Sequence, residues 1–180
     1  MTYRKFLESA ERTVIISPYL LKEYNRRWYV FGGAYDTNRI LNFALDRITK
    51  VEYLPGYIFK SCEIDLEERF EEIIGVTFNE DSPLSKILLW ASDEIKGYIY
   101  TKPIHGSQIH IKGDRSDKLR LLYPQLSSGD FFTIECRENF ELIRELIAWG
   151  ENLVVLNPIS LRDKIVEHIN RMADRYKIFS

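Results

Sequence analysis

The stretch that decides the fold is residues 17–35, SPYLLKEYNRRWYVFGGAY. Aromatic and other strand-forming residues fill its two arms, and Tyr24-Asn25-Arg26 between them is typical of a turn. The pattern predicts two antiparallel strands joined by a hairpin. The first strand begins at Thr13, where the sequence TVII already has the same character.

A third strand is predicted over residues 40–54, ILNFALDRITKVEYL, after a second turn at Asp36-Thr37-Asn38. Three antiparallel strands joined by tight turns form a meander, which needs further strands or a lid to close its core. We therefore expect a small, curved, barrel-like sheet, with Gly32-Gly33 as its bend or bulge.

The periodicity changes after Pro55-Gly56, which is typical of a connection between domains. Beyond it, segments with helical spacing alternate with short apolar strands, and this pattern predicts an α+β sandwich with helices on one sheet face. Asp65 and Asn139 are predicted to cap helices, and Ser160 with Asp163 has the spacing of a capping box. The predicted apolar stripe of the last helix comprises Leu161, Ile165, Ile169, Met172 and Tyr176.

These patterns divide the chain into a lead-in over residues 1–12, a barrel-like domain over residues 13–60 and an α+β domain over residues 61–180. Within the last of these, the segment KLRLLYPQL at residues 118–126 fits either a helix or a strand.

The composition is that of a soluble globular protein, since 45% of the 180 residues are hydrophobic and 29% are charged. The sequence contains no stretch of about 18 uninterrupted apolar residues, so no membrane span is predicted. Its first residues lack the apolar run of a signal peptide. Cys62 and Cys136 match no metal spacing, so a reducing, cytoplasmic setting is expected.

Charge is divided unequally along the chain. Residues 1–60 carry ten Lys and Arg against six Asp and Glu, whereas residues 61–180 carry fifteen against twenty-one. The excess of positive charge would draw an anionic ligand to the first part of the chain, although solvated surface charge explains the same counts.

No set of residues for catalysis or cofactor binding is assembled in the sequence. His105, His110 and His168 are scattered, with no carboxylate or Cys at ligand spacing, so no metal site is predicted. Cys62 has no nearby base to activate it as a nucleophile. Gly32-Gly33 lacks the following helix that a phosphate-binding loop needs. We therefore predict a binding module without a cofactor, not an enzyme.

Three motifs stand in a specific order: Pro18-Tyr19, then Trp28-Tyr29-Val30, then a segment from Phe43 to Ile48 that reads FALDRI. In this order they resemble the WYL domain, which is named for a Trp-Tyr-Leu triplet; here Val30 takes the third position. Residues 61–178 resemble the extension that commonly follows it, often called WCX, through the strings YIYTKPIHGSQ, ENFELIRELIAWGENLVVLNP and SLRDKI. Together the resemblance covers about residues 10–178.

The resemblance implies a bacterial transcriptional regulator. Its expected parts are a small Sm-like or SH3-like β-barrel that binds a nucleic acid or nucleotide effector, and a ferredoxin-like α/β sandwich that often helps to form a homodimer. Members of the family usually begin with a winged helix-turn-helix that binds promoter DNA. No such domain precedes residue 13, so we expect promoter DNA to be bound through a domain outside this sequence.

Arg47, in the FALDRI segment, is the strongest candidate for contact with the ligand. A guanidinium offers a planar fork of donors to phosphate or carboxylate, and an ion pair with Asp46 is the competing interpretation. Tyr29 and Trp28 point to opposite faces of their strand. We expect Trp28 in the core and Tyr29 exposed, where it could stack on a base or bond a phosphate.

Four further residues complete the predicted ligand-binding site. Ser17 and Tyr19 share a strand face and supply a hydroxyl and a second ring, although ordinary strand packing accounts for both equally well. Many relatives carry a basic residue where this chain has Leu41, and Arg39 is expected to substitute for it. Arg27, at the hairpin turn, either contacts the anion, attracts it over a longer range or is simply solvated.

A second hypothesis is a structural module without a small ligand. In this case the barrel is a surface for docking another protein, and the α+β domain is a dimer interface. The aromatic residues Tyr35, Tyr57, Phe59 and Trp149 could supply the docking surface.

Overall fold

The computed structural model describes residues 1–6, 8, 10–37, 39–79, 81–126 and 128–179. The chain forms two compact units, residues 1–70 with 75–78 and residues 71–74 with 79–180. Helices and antiparallel sheets together make it a mixed α and β protein, as predicted. None of the described helices combines the length and the apolar character that crossing a membrane requires.

The first unit is built mainly from strands. Its elements are β1 (Thr2–Tyr3), β2 (Arg12–Thr13), β3 (Ile16–Tyr24), β4 (Arg27–Ala34), β5 (Ile40–Ala44), β6 (Ile48–Lys50) and the start of α1 (Leu66–Glu71).

The predicted hairpin is confirmed, with β3 and β4 paired antiparallel from Tyr24 opposite Arg27 outward. Asn25 and Arg26 form the two-residue turn, with φ angles of 49° and 63°. Positive φ at both central positions is the signature of a type I′ turn, whose twist matches that of the flanking strands. Asparagine suits this conformation, whereas arginine adopts it at a cost because its Cβ crowds the backbone.

The predicted meander is also confirmed, because β5 pairs antiparallel with the other side of β4. The prediction of one continuous third strand over residues 40–54 is wrong. The chain leaves the strand at Ala44, passes through a 3-10 turn at Leu45–Arg47 and resumes as β6. The second predicted turn includes Asn38, which lies outside the described residues.

β1 pairs with both β2 and β6. β2 leads into β3 and β5 leads into β6, so the two three-stranded sheets of this unit are linked through the continuing chain at both sides. The predicted lead-in over residues 1–12 therefore contributes a strand to this unit.

The close approach of β3 to β4 depends on the two glycines of β4. The ladder shifts register between Pro18 and Leu20, so the bulge lies at Tyr19, across from Gly32. A Cβ on Gly32 would stand 2.6 Å from the carbonyl oxygen of Ser17, and a Cβ on Gly33 would stand 2.3 Å from the hydroxyl of Tyr19. Glycine lets the bulged strand lie directly on its partner.

Phe31 is fully buried and forms the centre of the first unit's aromatic core. Its ring meets the edges of Phe70 and Phe78 at centroid distances of 4.9 and 5.6 Å. These contacts explain why residues 61–70 and 75–78 pack with the first unit, although the predicted boundary assigned them to the second domain.

The prediction that Trp28 lies in the core and Tyr29 is exposed is wrong. Trp28 is 50% exposed and Tyr29 is half-buried. Side chains alternate along a strand, so the burial of Phe31 puts Tyr29 on its face and turns Trp28 to the other.

The second unit alternates strands and helices. Its elements are β7 (Leu84–Ala91), α2 (Lys96–Thr101), β8 (Ile109–Ile111), α3 (Asp114–Leu122), β9 (Asp130–Arg137), α4 (Phe140–Ala148), β10 (Leu153–Asn157) and α5 (Ile159–Tyr176). The strands form one antiparallel sheet in the order β10-β7-β9-β8. The ambiguous segment at residues 118–126 contributes the end of α3 and a short 3-10 turn.

Two of the three predicted helix caps are confirmed. The Asp65 carboxylate accepts from the backbone N–H groups of Glu67 and Glu68, and the Asn139 side chain accepts from the N–H of Leu142 at 2.9 Å. The predicted capping box at Ser160 is wrong, because the cap position of α5 is Pro158, two residues earlier. Proline is suited to the start of a helix, where a missing N–H costs nothing.

The apolar stripe of α5 is packed only along its first part. Leu161 is fully buried and Ile165 packs against the same core, whereas Ile169, Met172 and Tyr176 are exposed. The stripe predicted from the sequence is therefore present, but among the described residues only its first members are packed against other parts of the chain.

We predict that Arg26→Gly stabilises the protein by up to about 1 kcal/mol, because Asn-Gly is the preferred pair for this turn and glycine removes the crowding at positive φ. Urea unfolding followed by tryptophan fluorescence measures the change. The control is Arg12→Gly, in an extended strand, which should destabilise. A lower midpoint for Arg26→Gly, with an unchanged slope, would contradict the turn assignment.

Candidate functional site

The predicted site residues all belong to the first unit, where the structure places four of the six in two groups. Arg27 and Arg47 lie with Asp46 and Phe6, and these four residues are called the arginine cluster below. Ser17 and Tyr19 lie at a separate cleft.

Arg47 follows directly from the unexpected 3-10 turn. Its guanidinium carbon lies 4.0 Å from the centroid of the Phe6 ring, which is the arrangement of a cation–π contact. Its Nε is buried and has no hydrogen-bond partner among the described residues. The predicted alternative, an ion pair of Arg47 with Asp46, is not formed.

Asp46 pairs with Arg27 instead, with 3.2 Å between the carboxylate oxygen and the arginine Nε. Both side chains are well exposed, at 37% for Arg27 and 47% for Asp46, so the pair is weak and screened by salt. The Arg27 guanidinium carbon also lies 5.7 Å from the centroid of Phe6. An incoming anion therefore meets two guanidinium groups and one carboxylate.

The second group borders a cleft of about 360 Å³, here called the Tyr19 cleft. Strand residues form one side of it and the irregular segment 59–64 forms the other. The lining residues are Tyr19, Gly33, Ala34, Ile40, Phe59, Lys60, Ser61, Cys62, Glu63 and Ile64.

Tyr19 owes its position to the bulge in β3, which brings its hydroxyl over Gly33. Its ring meets the edge of Phe59 at a centroid distance of 6.1 Å. Burial raises the pKa of the hydroxyl, and nearby Cys62 and Glu63 raise it further. The phenol is therefore a neutral donor and acceptor for a ligand in the cleft.

Ser17 is buried and contributes to the structure of the cleft wall. Its hydroxyl oxygen accepts a hydrogen bond of 3.0 Å from the backbone N–H of Lys60. The Lys60 ammonium in turn donates to the carbonyl of Tyr35 and lies 4.3 Å from that ring's centroid. These contacts hold segment 59–64 against β3 and β4.

The two remaining predicted residues, Tyr29 and Arg39, are not assigned to either of these groups. Tyr29 is half-buried on the Phe31 face, opposite Lys22 in β3 and Ala44 in β5. Arg39 is exposed, and its backbone N–H donates to the Thr37 hydroxyl at 3.4 Å.

The aromatic residues of the alternative hypothesis divide in the same way. Tyr35 and Tyr57 form an edge-to-face pair at 4.8 Å, and both are accessible, as is Phe59. Trp149 packs against the core of the second unit, so it adds little to a docking surface.

Sequence reasoning missed two parts of this region. Phe6 lies in the predicted lead-in, outside any recognisable motif, and segment 59–64 has no periodicity that would show it packs on β3. The only available signal was the aromatic content of both segments.

The described residues of the second unit hold no group of ligands that would suit a metal ion, and the same is true of the first unit. Burial raises the pKa of the Cys136 thiol to about 12, which leaves it unreactive as a nucleophile. Cys62 is partly accessible, and its thiol lies 3.2 Å from the carbonyl of Ile64.

A polar network lies at the β8 edge of the sheet in the second unit. The Tyr100 hydroxyl donates to the Asp130 carboxylate at 2.7 Å and contacts His110 Nε2 at 2.9 Å. Lys96 and Arg120 also approach Asp130. Each charged group named here has a partner, which is typical of a structural network. Burial raises the pKa of Tyr100 to about 12.

His105 is buried and is part of a local hydrogen-bond network. Its Nδ1 accepts from the N–H of Ser107, whose hydroxyl donates to the carbonyl of Glu135. Burial lowers the pKa of His105, although hydrogen bonds to the backbone of Ile73 and Glu71 oppose the shift. The pKa of His110 is also lowered, mainly by burial, against the attraction of Asp130.

Two family models match the chain: the WYL domain over residues 1–53 and the WCX domain over residues 84–173. No curated protein matches it. Among solved structures, it is similar to proteasome accessory factor B/C (PafBC) of Arthrobacter aurescens, with 17% sequence identity and a TM-score of 0.39. That match covers 96% of this chain and 24% of the other, so this chain spans about a quarter of that length.

We predict that the free energy of unfolding falls as the pH drops from about 7 to about 5.5. The unfolded chain binds protons at the ordinary histidine pKa of about 6.5, whereas the folded chain keeps His105 and His110 neutral to lower pH. Urea unfolding at a series of pH values measures the slope, and the double variant His105→Gln/His110→Gln should flatten it. A constant or rising stability in this interval would contradict the assignment.

Proposed function

Because this chain belongs to the family of proteins with WYL and WCX domains, we propose that it is the effector-sensing part of a WYL-type transcriptional regulator. The effector is an anion, either single-stranded nucleic acid or a nucleotide. It binds the part of the first unit formed by residues 1–60, where Lys and Arg outnumber Asp and Glu by ten to six.

The observation that carries this proposal is the state of Arg47. Among the described residues no carboxylate pairs with its guanidinium, and its buried Nε has no acceptor. A buried donor without a partner costs free energy, which a phosphate oxygen would recover on binding. Arg27 lies beside it and is held only by an exposed carboxylate, so both guanidinium groups can turn to the same anion.

The Tyr19 cleft can extend this site for a longer ligand. Its neutral phenol and the ring of Phe59 offer a hydrogen bond and an apolar edge. In this proposal Tyr19, Tyr29 and Arg39 contact the ligand, whereas Ser17 shapes the wall by holding Lys60.

The effector acts by favouring one arrangement of the regulator over another, which requires a different affinity for the two. Promoter DNA is then bound through a separate domain, and the protein works in the cytoplasm as a binding protein without a cofactor.

We also propose the finer folds that the resemblance implies. The continuity of β2 with β3 and of β5 with β6, all linked through β1 and β4, supports a small Sm-like barrel over residues 13–60. Across the second sheet the strands follow the order β10-β7-β9-β8, which places the fourth strand of the chain beside the first, then the third and then the second. This order supports a ferredoxin-like arrangement over residues 61–180, with α3 as an additional helix between β8 and β9.

The exposed end of the α5 stripe favours a second role for the WCX part, as a dimer interface. Ile169, Met172 and Tyr176 continue a stripe whose first residues are in the core. Light scattering distinguishes this role, because a chain that is strictly monomeric at micromolar concentration does not use the stripe to dimerise.

We predict that Arg47→Ala weakens binding of a short labelled oligothymidylate about ten-fold at about 50 mM salt, because one phosphate contact is lost. The slope of log affinity against log salt should become shallower by about 0.7 for that contact. Fluorescence anisotropy measures both quantities. Arg47→Lys should bind with intermediate affinity, because it keeps the charge and loses the fork.

Arg144→Ala is the matched control, since Arg144 lies 5.5 Å from the centroid of the exposed ring of Phe140 in the second unit. It removes an arginine that also lies beside an exposed phenylalanine but is outside the site, so it should bind like the unmodified chain. The proposal fails if the unmodified chain shows no saturable binding, or if Arg144→Ala weakens binding as much as Arg47→Ala does.

A further inference from the structure

Phe6 is the most exposed member of the arginine cluster. Its side chain is 70% accessible, even though the Arg47 guanidinium lies on its ring and Arg27 is close by. An exposed phenylalanine is ordinary by itself. A ring with two guanidinium groups beside it is a specific arrangement, because it puts an apolar flat surface next to donors for an anion.

The contact with Arg47 leaves one side of this ring available. At 4.0 Å from the ring centroid, the guanidinium covers a single face. With 70% of the residue exposed, most of the ring outside that contact is accessible to solvent. A planar group that stacks there would lie close to whatever anion the guanidinium groups hold.

We propose that Phe6 is the base-stacking residue of the arginine cluster, and that the ligand is therefore nucleic acid with unpaired bases. The phosphate binds Arg47 and Arg27 while the adjoining base stacks on the open face of Phe6. This inference rests on the proposed function and narrows it, since an inorganic or carboxylate anion would gain nothing from the ring.

The chemistry of nucleic acid favours this combination. Every base has an apolar face, so stacking on an aromatic side chain is tolerant of sequence and adds to the attraction of the backbone phosphates. In a duplex the faces of the bases are already covered by their neighbours. A site that combines one ring with two guanidinium groups therefore favours a strand with unpaired bases over a duplex, although both carry phosphate charges.

The experiment compares two probes of equal charge on the full 180-residue chain. One is a short labelled oligothymidylate, and the other is an abasic strand of the same length with the same phosphates. The variants are Phe6→Leu, which keeps an apolar side chain without a ring, and Phe6→Trp, which enlarges the ring. Phe140→Leu is the matched control, because Phe140 is 60% exposed and also lies beside an arginine.

The expected result is that Phe6→Leu weakens binding of oligothymidylate about ten-fold, the loss of one stacked base, and leaves the abasic strand unchanged. Phe6→Trp should retain or increase the affinity for oligothymidylate, and Phe140→Leu should change neither. Circular dichroism confirms that each variant is folded, which is expected because Phe6 is mostly in solvent.

Two results would overturn the inference in distinguishable ways. If Phe6→Leu weakens both probes equally, or neither, then Phe6 does not stack a base, while anion binding at Arg47 still stands. If the unmodified chain binds neither probe at about 50 mM salt, the proposed function fails together with the inference, since phosphate contacts should be strong there.

Discussion

The burial of Phe31 is the constraint on which the first unit depends. Phe31 is fully enclosed, and Phe70 and Phe78 pack against it. Because Phe31 must point into this core, only one of the two faces of β4 can be turned toward it. A shift of one residue would exchange every side chain between the faces. This single contact therefore fixes that Tyr29 is half-buried and that Trp28 faces solvent. It also holds segment 75–78 against the sheet, where the carbonyl of Val76 accepts from the Asn42 amide.

Patterns that are local in sequence were predictable, and contacts between distant segments were not. The hairpin, the meander and the Asp65 and Asn139 caps follow from a few neighbouring residues, and all are confirmed. The orientation of Trp28 depends on Phe70 and Phe78, which lie 42 and 50 residues further along the chain. The 3-10 turn that interrupts the third strand contains one turn-favouring residue, Asp46, and a single Asp is equally compatible with the solvent face of a strand.

The candidate site follows from that interruption. Had the strand continued, side chains would have kept alternating through residues 45–47; the 3-10 turn instead releases Arg47 from the ladder. Its guanidinium then lies on Phe6, which comes from the loop after β1, while Asp46 pairs with Arg27. The sequence motif singled out Arg47 as a candidate, whereas its contact with Phe6 could not be predicted because Phe6 belongs to no motif. Ser17 and Tyr19 both lie against segment 59–64, although the bulge in β3 interrupts the regular alternation between them.

The central claim is that Arg47 and Arg27 are the anion-binding groups of this chain, and nuclear magnetic resonance of the arginine Nε–H groups observes them directly. Titration with a short oligothymidylate at about 50 mM salt should move the Nε–H signals of both residues, because Arg27 exchanges its carboxylate partner for phosphate and Arg47 gains a partner. The Arg144 signal should remain in place. Signals of Arg47 and Arg27 that stay unchanged while the oligonucleotide binds, or shifts confined to arginines of the second unit, would contradict the account.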